Sequence, residues 1–207
     1  MITHSNGVLT VIEACDKVRI TNGKHSYHAD TGGAIALPLP YGDGVYNVET
    51  LRRKHDNVYT LLKRRTVKAV GTDKYLLQPN AFVPYIKDAW EQGEALAHGK
   101  PQRTAYKAIV NWAKANILYD YVKAVQVAKK GVIPNPAACW EEKRGICQDM
   151  ASLVAGMLRA AGIPTRLCIG YADGRLHAWA ESNIGGKLYR YEPCNTVAKT
   201  YTKDRWY

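Results

Sequence analysis

No stretch of the 207-residue sequence approaches the roughly 18 consecutive apolar residues of a membrane-spanning helix, so no helical span is expected. The opening MITHSNGVLT lacks the basic-then-apolar build of a secretory signal. As written the chain reads as soluble, and a secreted parent whose leader had been removed would read the same, so the compartment stays open. Among Cys15, Cys139, Cys147, Cys168 and Cys194 there is no CxxC pair and no His/Cys cluster at ligand spacing. That argues against a disulfide framework and a structural zinc site. No acidic cluster resembles a calcium site and no cofactor motif is present, so neither metal nor cofactor is expected.

Acidic residues are scarce. Asp and Glu number 18 against 29 Lys and Arg, a formal net charge of +11. The excess is densest in LRRKHDNVYTLLKRRTVKAVGTDK, residues 51–74. Such a run can meet nucleic acid or another polyanion. There is no RNP-like aromatic motif, helix-turn-helix pattern or zinc knuckle, so nucleic acid is not favoured. The run reads as a solvated strand face with basic loop tips, and an acidic substrate or cell-wall polymer stays compatible with it.

What is present suits two small domains, since 46% of residues are hydrophobic. Residues 7 to about 75 alternate short runs rich in Val, Ile, Thr and Tyr with Gly, Asn and Asp, which predicts a small antiparallel sandwich or barrel. His25, His28 and His55 fall among its turn signals and are expected to be solvent-exposed. At QPNAFVPYI (78–86) the pattern changes to a Pro-bearing connector followed by helices, which divides the chain into a β-rich part, 1–77, and a second part, 78–207. Tyr106, Ile109, Val110, Ala113 and Ile117 keep helical spacing. NPAACWEEKRG is punctuated as a short helix, with Asn135 as N-cap, Pro136 first and Gly145 past the end.

A further helical stripe runs through Met150, Leu153, Val154, Met157 and Leu158 and stops at Gly162 and Pro164. Cys147 falls at its start, where unpaired N–H groups and the helix dipole favour a thiolate. TRLCIGY, RLHAWAES and KLYRYEPC then predict an antiparallel meander, so the fold class is α+β with a Cys-bearing helix packed on an antiparallel sheet.

A nucleophilic thiol needs a base in reach, and the base needs an orienting group. Strand alternation puts His177, Trp179 and Glu181 on one face. If Gly185 and Gly186 form a two-residue hairpin loop, residue 177 lies opposite 194 with 192 as its diagonal neighbour; other loops of the same parity place 177 opposite 192. Each of these registers keeps Glu192 on the face of His177. Pattern alone leaves two readings open: a Cys147, His177, Glu192 triad, or a buried Cys, a core His and a surface Glu.

These residues resemble the transglutaminase-like superfamily of papain-type cysteine enzymes. The resemblance rests on Gly145-Ile146-Cys147 with Asp149, on LRAAGIPTRLCIGY (158–171), on His177-Ala178-Trp179 and on Glu192-Pro193, and it covers about residues 102–196. It implies Cys147 as nucleophile, His177 as base and Glu192 as orienter. Two departures stand out: Glu192 where Asp is usual, with Glu181 as the alternative acid, and Cys194 where Thr is usual. The extra methylene of Glu192 is what the diagonal register would need. An oxyanion site would combine the Cys147 N–H with one upstream donor, for which Trp140, Tyr119 and Tyr121 are candidates. The β-rich front half also looks like bacterial proteins that place a small β domain before such a core. The implied activity is amide or peptide hydrolysis through a thioester, with peptide, protein or wall peptide as substrate. Protein cross-linking and an inactive binding protein of the same fold are the alternatives. Cys15 and Cys168 are expected in the core, Cys139 is left open, and Cys194 is placed where it can line the site.

Overall fold

Short β-branched and aromatic runs separated by turn residues cannot close helical turns, but they suit a pleated, half-buried surface. In the computed structural model, which describes residues 1–5, 7–23, 25–39, 41–70, 79–127, 133–194 and 200–206, they form two antiparallel sheets. One joins β1 (Ile2–Ser5), β2 (Val8–Val11) and β5 (Ile35–Pro38) in the order β1-β2-β5. The other joins β3 (Lys17–Asn22), β4 (His25–Asp30), β6 (Gly44–His55) and β7 (Val58–Ala69) in the order β4-β3-β6-β7. Val18 and Ile20, Tyr27 and Ala29, Tyr46 and Val48 alternate into the core. β1 precedes the run that patterning marked from residue 7. Only Ile2 of its four residues is buried, so it has no alternation to read.

Towards their shared turn, β6 and β7 leave the core. Residues 52–58 and 60–66 are exposed, and the basic run lies here as a solvated ribbon. Its charges are partly answered: Glu49 accepts from Arg19 Nε at 2.6 Å and Arg64 Nε at 2.8 Å, and Lys63 Nζ lies 3.0 Å from Glu13. His25, His28 and His55 are exposed.

The expected division after residue 77 falls within 71–78, outside the described residues. The segment that follows is held by both parts of the chain. Ala81 N–H donates to Ala36 O at 2.8 Å, the Phe82 ring lies 5.9 Å from that of Tyr27, and Ser152 Oγ donates to Phe82 O at 2.6 Å.

Among the described residues five helices follow: α1 (Lys87–Ala97), α2 (Gln102–Asn116), α3 (Tyr121–Gln126), α4 (Pro136–Glu142) and α5 (Cys147–Ala160). Asn135 caps α4 by accepting from Ala138 N–H at 3.1 Å. The left-handed residue that closes α4 is Lys143 (φ 53°), not Gly145. Gly145 instead packs beneath α4, where a Cβ would stand 2.7 Å from Cys139 Sγ.

Residues 149–158 of α5 are all buried, so this helix is the centre of the fold. Glycines on both helices let α1 and α5 approach: a Cβ on Gly93 of α1 would lie 2.4 Å from Met157 O, and one on Gly156 of α5 would lie 2.9 Å from Trp90 Nε1. α5 also lies against an antiparallel sheet of order β12-β11-β10-β13, formed by β10 (Thr165–Ala172), β11 (Arg175–Ile184), β12 (Lys187–Tyr191) and β13 (Tyr201–Trp206). The meander contributes three of these strands, and β13, pairing with β10, is a fourth that patterning did not mark. Two short strands, β8 (Leu118–Tyr119) and β9 (Arg144–Gly145), pair in parallel just before α5. The fold is α+β, and no helix among the described residues is long and apolar enough to cross a membrane.

Candidate active site

Asp149, two residues into α5 from Cys147, fixes where the helix begins. Its carboxylate is buried and accepts from the N–H of Ile146 at 3.3 Å, the N–H of Asn135 at 2.8 Å and Lys123 Nζ at 2.8 Å. The first bond satisfies an N–H at the helix start, the second ties in the entry to α4, and the third ties in α3. A buried carboxylate with three donors, one of them cationic, is compensated. Asp149 is therefore occupied in holding Cys147 in place.

The β8/β9 pair brings a further side chain to the same point. Leu118 N–H donates to Lys143 O at 2.8 Å and Asp120 N–H to Gly145 O at 2.9 Å. Tyr119, between them, is brought close to both Cys147 and Cys194. Burial and the two thiols push its phenol upward, so it remains a donor at neutral pH.

On the opposite wall, Gly185 (φ 58°) and Gly186 (φ 79°) supply the two positive φ values that a tight hairpin turn requires. Ile184 pairs with Lys187 and Ala180 with Tyr191. Continued by one step, that register sets residue 192 across from 179 and diagonal to 177. The longer arm of Glu covers the diagonal: His177 Nε2 lies 2.6 Å from Glu192 Oε1. Glu192 also accepts from the Cys194 N–H at 3.1 Å and from Tyr201 Oη at 2.8 Å, and it is 7% exposed. Three donors compensate a carboxylate that burial would otherwise penalise.

With Nε2 on the acid, Nδ1 is left for the thiol, and Cys147 lies close enough to His177 to act on its charge together with Glu192. Burial pulls the imidazole down, but the hydrogen bonds and negative charge of Cys147 and Glu192 outweigh it and lift it to about 9. Cys147, His177 and Glu192 thus meet. Glu181 serves other partners: Arg166 Nη2 at 2.7 Å, Lys203 Nζ at 2.8 Å, Trp179 Nε1 at 3.1 Å and Arg190 Nη2 at 3.3 Å. Burial raises its carboxyl, but hydrogen bonds from Lys203, Arg166 and Trp179 hold it down at about 2.

Of the three oxyanion candidates, Tyr119 contacts the thiol. Trp140 stacks on Trp112 at 5.3 Å with Lys143 Nζ 3.4 Å above its ring, and Tyr121, 72% exposed, sits one ring further out, 4.9 Å from Tyr119. Cys15, Cys139 and Cys168 are buried, whereas Cys147 and Cys194 are partly open. Sequence reasoning missed Tyr201 and Arg190, whose guanidinium lies 3.7 Å over the Tyr201 ring. No motif names them. The alternating YTKDRW run that carries Tyr201 was the one signal available.

Residues 92–195, just over half of the chain, match the family model of the transglutaminase-like superfamily. The chain belongs to that superfamily. A curated relative of this transglutaminase-like chain, an uncharacterised protein of Mycobacterium leprae, is 31% identical over 137 residues, covering 60% of this chain and 47% of the relative. The chain thus spans about half the length of that relative. Among solved structures, a candidate cysteine protease from Cytophaga hutchinsonii shares the fold with a TM-score of 0.50 at 16% identity, over 96% of this chain and 78% of its own.

Proposed function

We propose that the chain is a cysteine-dependent amide or peptide hydrolase with Cys147 as nucleophile, His177 as acid and base, and Glu192 as orienter. The observation that carries this reading is His177 bonded to the Glu192 carboxylate at 2.6 Å while Cys147, the first residue of α5, stands near enough to the imidazole to act on its charge. In the attack step the Cys147 sulfur bonds to the amide carbonyl carbon and the C–N bond breaks. The imidazolium of His177 gives its proton to the leaving amine, and a thioester remains. His177, now neutral, takes a proton from water as the water oxygen attacks the thioester, releasing the acid and the thiolate. Glu192 holds one tautomer and stabilises the imidazolium. The Cys147 N–H at the helix start, with Tyr119 Oη as second donor, faces the developing oxyanion.

In this reading residues 78–207 form the catalytic part. Residues 1–77 form a β-rich part whose exposed basic ribbon meets an acidic partner such as a wall polymer. The test is turnover of a peptide library with and without added primary amines, for the wild type and Cys147→Ala. Cys147-dependent cleavage supports hydrolysis. Products carrying the amine redirect the reading to cross-linking, and cleavage that survives Cys147→Ala overturns it.

A further inference from the structure

Cys194 takes no part in the reaction proposed above, yet it stands against the residues that do. Its Sγ, a ring nitrogen of His177 and a carboxylate oxygen of Glu192 all lie within 4.8 Å of one another. Cys147 acts on the same imidazole but stands outside this group of three. Cys147 and Cys194 are the two partly open cysteines of the chain, while the other three are buried. A thiol, an imidazole and a carboxylate make the mixed, borderline-soft donor set that suits Zn2+ and does not suit Mg2+ or Ca2+.

We infer that His177, Glu192 and Cys194 form a three-ligand binding site for a thiophilic divalent cation such as Zn2+, with solvent in the fourth position, and that its occupancy, by engaging the imidazole that serves Cys147, switches the thiol chemistry off. Tetrahedral coordination at about 2.0 to 2.3 Å sets donors roughly 3.3 to 3.8 Å apart. The 2.6 Å contact between His177 and Glu192 opens to that range as the ion takes the place of the shared proton. Binding replaces protons with the metal: the thiol proton of Cys194 and the proton between His177 and Glu192 leave to solvent, and no electrons are transferred. Threonine, usual at this position in the superfamily, would offer a weaker hydroxyl ligand, so the site belongs to this chain's own Glu-Pro-Cys sequence.

Part of this inference, the loss of activity, rests on the proposed function; the binding itself does not. The chain, stripped by a chelator, is titrated with Co2+ and then Zn2+, with equilibrium dialysis for stoichiometry and absorption for ligand identity. The expected result is one ion per chain, sulfur-to-cobalt charge-transfer absorption in the near ultraviolet, and displacement of Co2+ by Zn2+. Cys194→Ser should weaken Zn2+ binding about tenfold or more and reduce the charge-transfer intensity. Cys194→Thr serves as a second variant, with a thermal melt to verify folding. Absence of saturable binding, or unchanged binding in both variants, overturns the site. Where peptide cleavage is measurable it should fall along the same occupancy curve and return with chelator; cleavage unaffected at full occupancy overturns the switch. A chain that binds the ion but cleaves nothing leaves the site standing and sinks the hydrolase, and a chain that cleaves but binds no ion does the reverse.

Discussion

Replacing Glu192 with aspartate, the residue usual in the superfamily, should impair this protein. The hairpin turn at Gly185-Gly186 sets position 192 diagonal to His177 rather than across from it, and the side chain spans that diagonal to reach 2.6 Å from Nε2. Removing one methylene withdraws the carboxylate by up to about 1.5 Å, which opens the contact to roughly 4 Å, beyond hydrogen-bonding range. A hydrogen bond to a charged group contributes about 1.5 to 3 kcal/mol. At about 1.4 kcal/mol per tenfold in rate, kcat should fall roughly tenfold to a hundredfold. A second readout needs no substrate. His177, lifted to about 9 in part by Glu192, should titrate at lower pH in Glu192→Asp, as followed by imidazole NMR. Wild-type kcat together with an unshifted His177 titration in that variant would refute the reasoning that this register requires the longer acid.

Tyr201 acts as a positioning residue through Glu192, so Tyr201→Phe should cost about 0.5 to 1.5 kcal/mol, up to about tenfold in kcat, with KM little changed and the His177 titration shifted. A purely structural role would move the melting temperature and leave that titration alone. Because the folded-state value of His177 is raised from 6.5 to about 9, the stability it contributes is complete below pH 6.5 and lost as pH rises through 9. Urea midpoints at pH 6 and pH 10 should therefore differ more for the wild type than for His177→Ala. Gly93→Ala places a Cβ 2.4 Å from Met157 O, where only backbone can give way, and should destabilise by about 1 to 3 kcal/mol in urea unfolding.

The parts of the fold that could be read from the sequence are those governed by local periodicity. The stripe from Met150 to Leu158 is buried as a helix face must be, whereas the strand around His177 is covered on both faces from Ala178 to Ser182, so only its side-chain parity, not its burial, follows the period of two. The parity rule kept Glu192 on the face of His177, while choosing the register took the positive φ values at Gly185 and Gly186. Other features depend on contacts distant in sequence. β1 shows one buried residue in four, and β13 is defined by pairing with β10. Tyr119 and Trp140 looked equivalent as donors. What separates them is a two-residue parallel pairing of Leu118–Tyr119 with Arg144–Gly145, too short to leave a pattern. Glu181 and Glu192 share a face, and what distinguishes them is the cationic set formed by Arg166, Arg190 and Lys203.

The central claim is that Cys147 is made nucleophilic by His177. It is tested most directly by alkylating the protein with iodoacetamide at pH 6 and locating the adduct by peptide mass spectrometry. The account predicts that Cys147 is modified ahead of the other four cysteines, and that His177→Ala slows its modification at least tenfold. Equal rates in the wild type and His177→Ala, or preferential labelling of another cysteine, would contradict it.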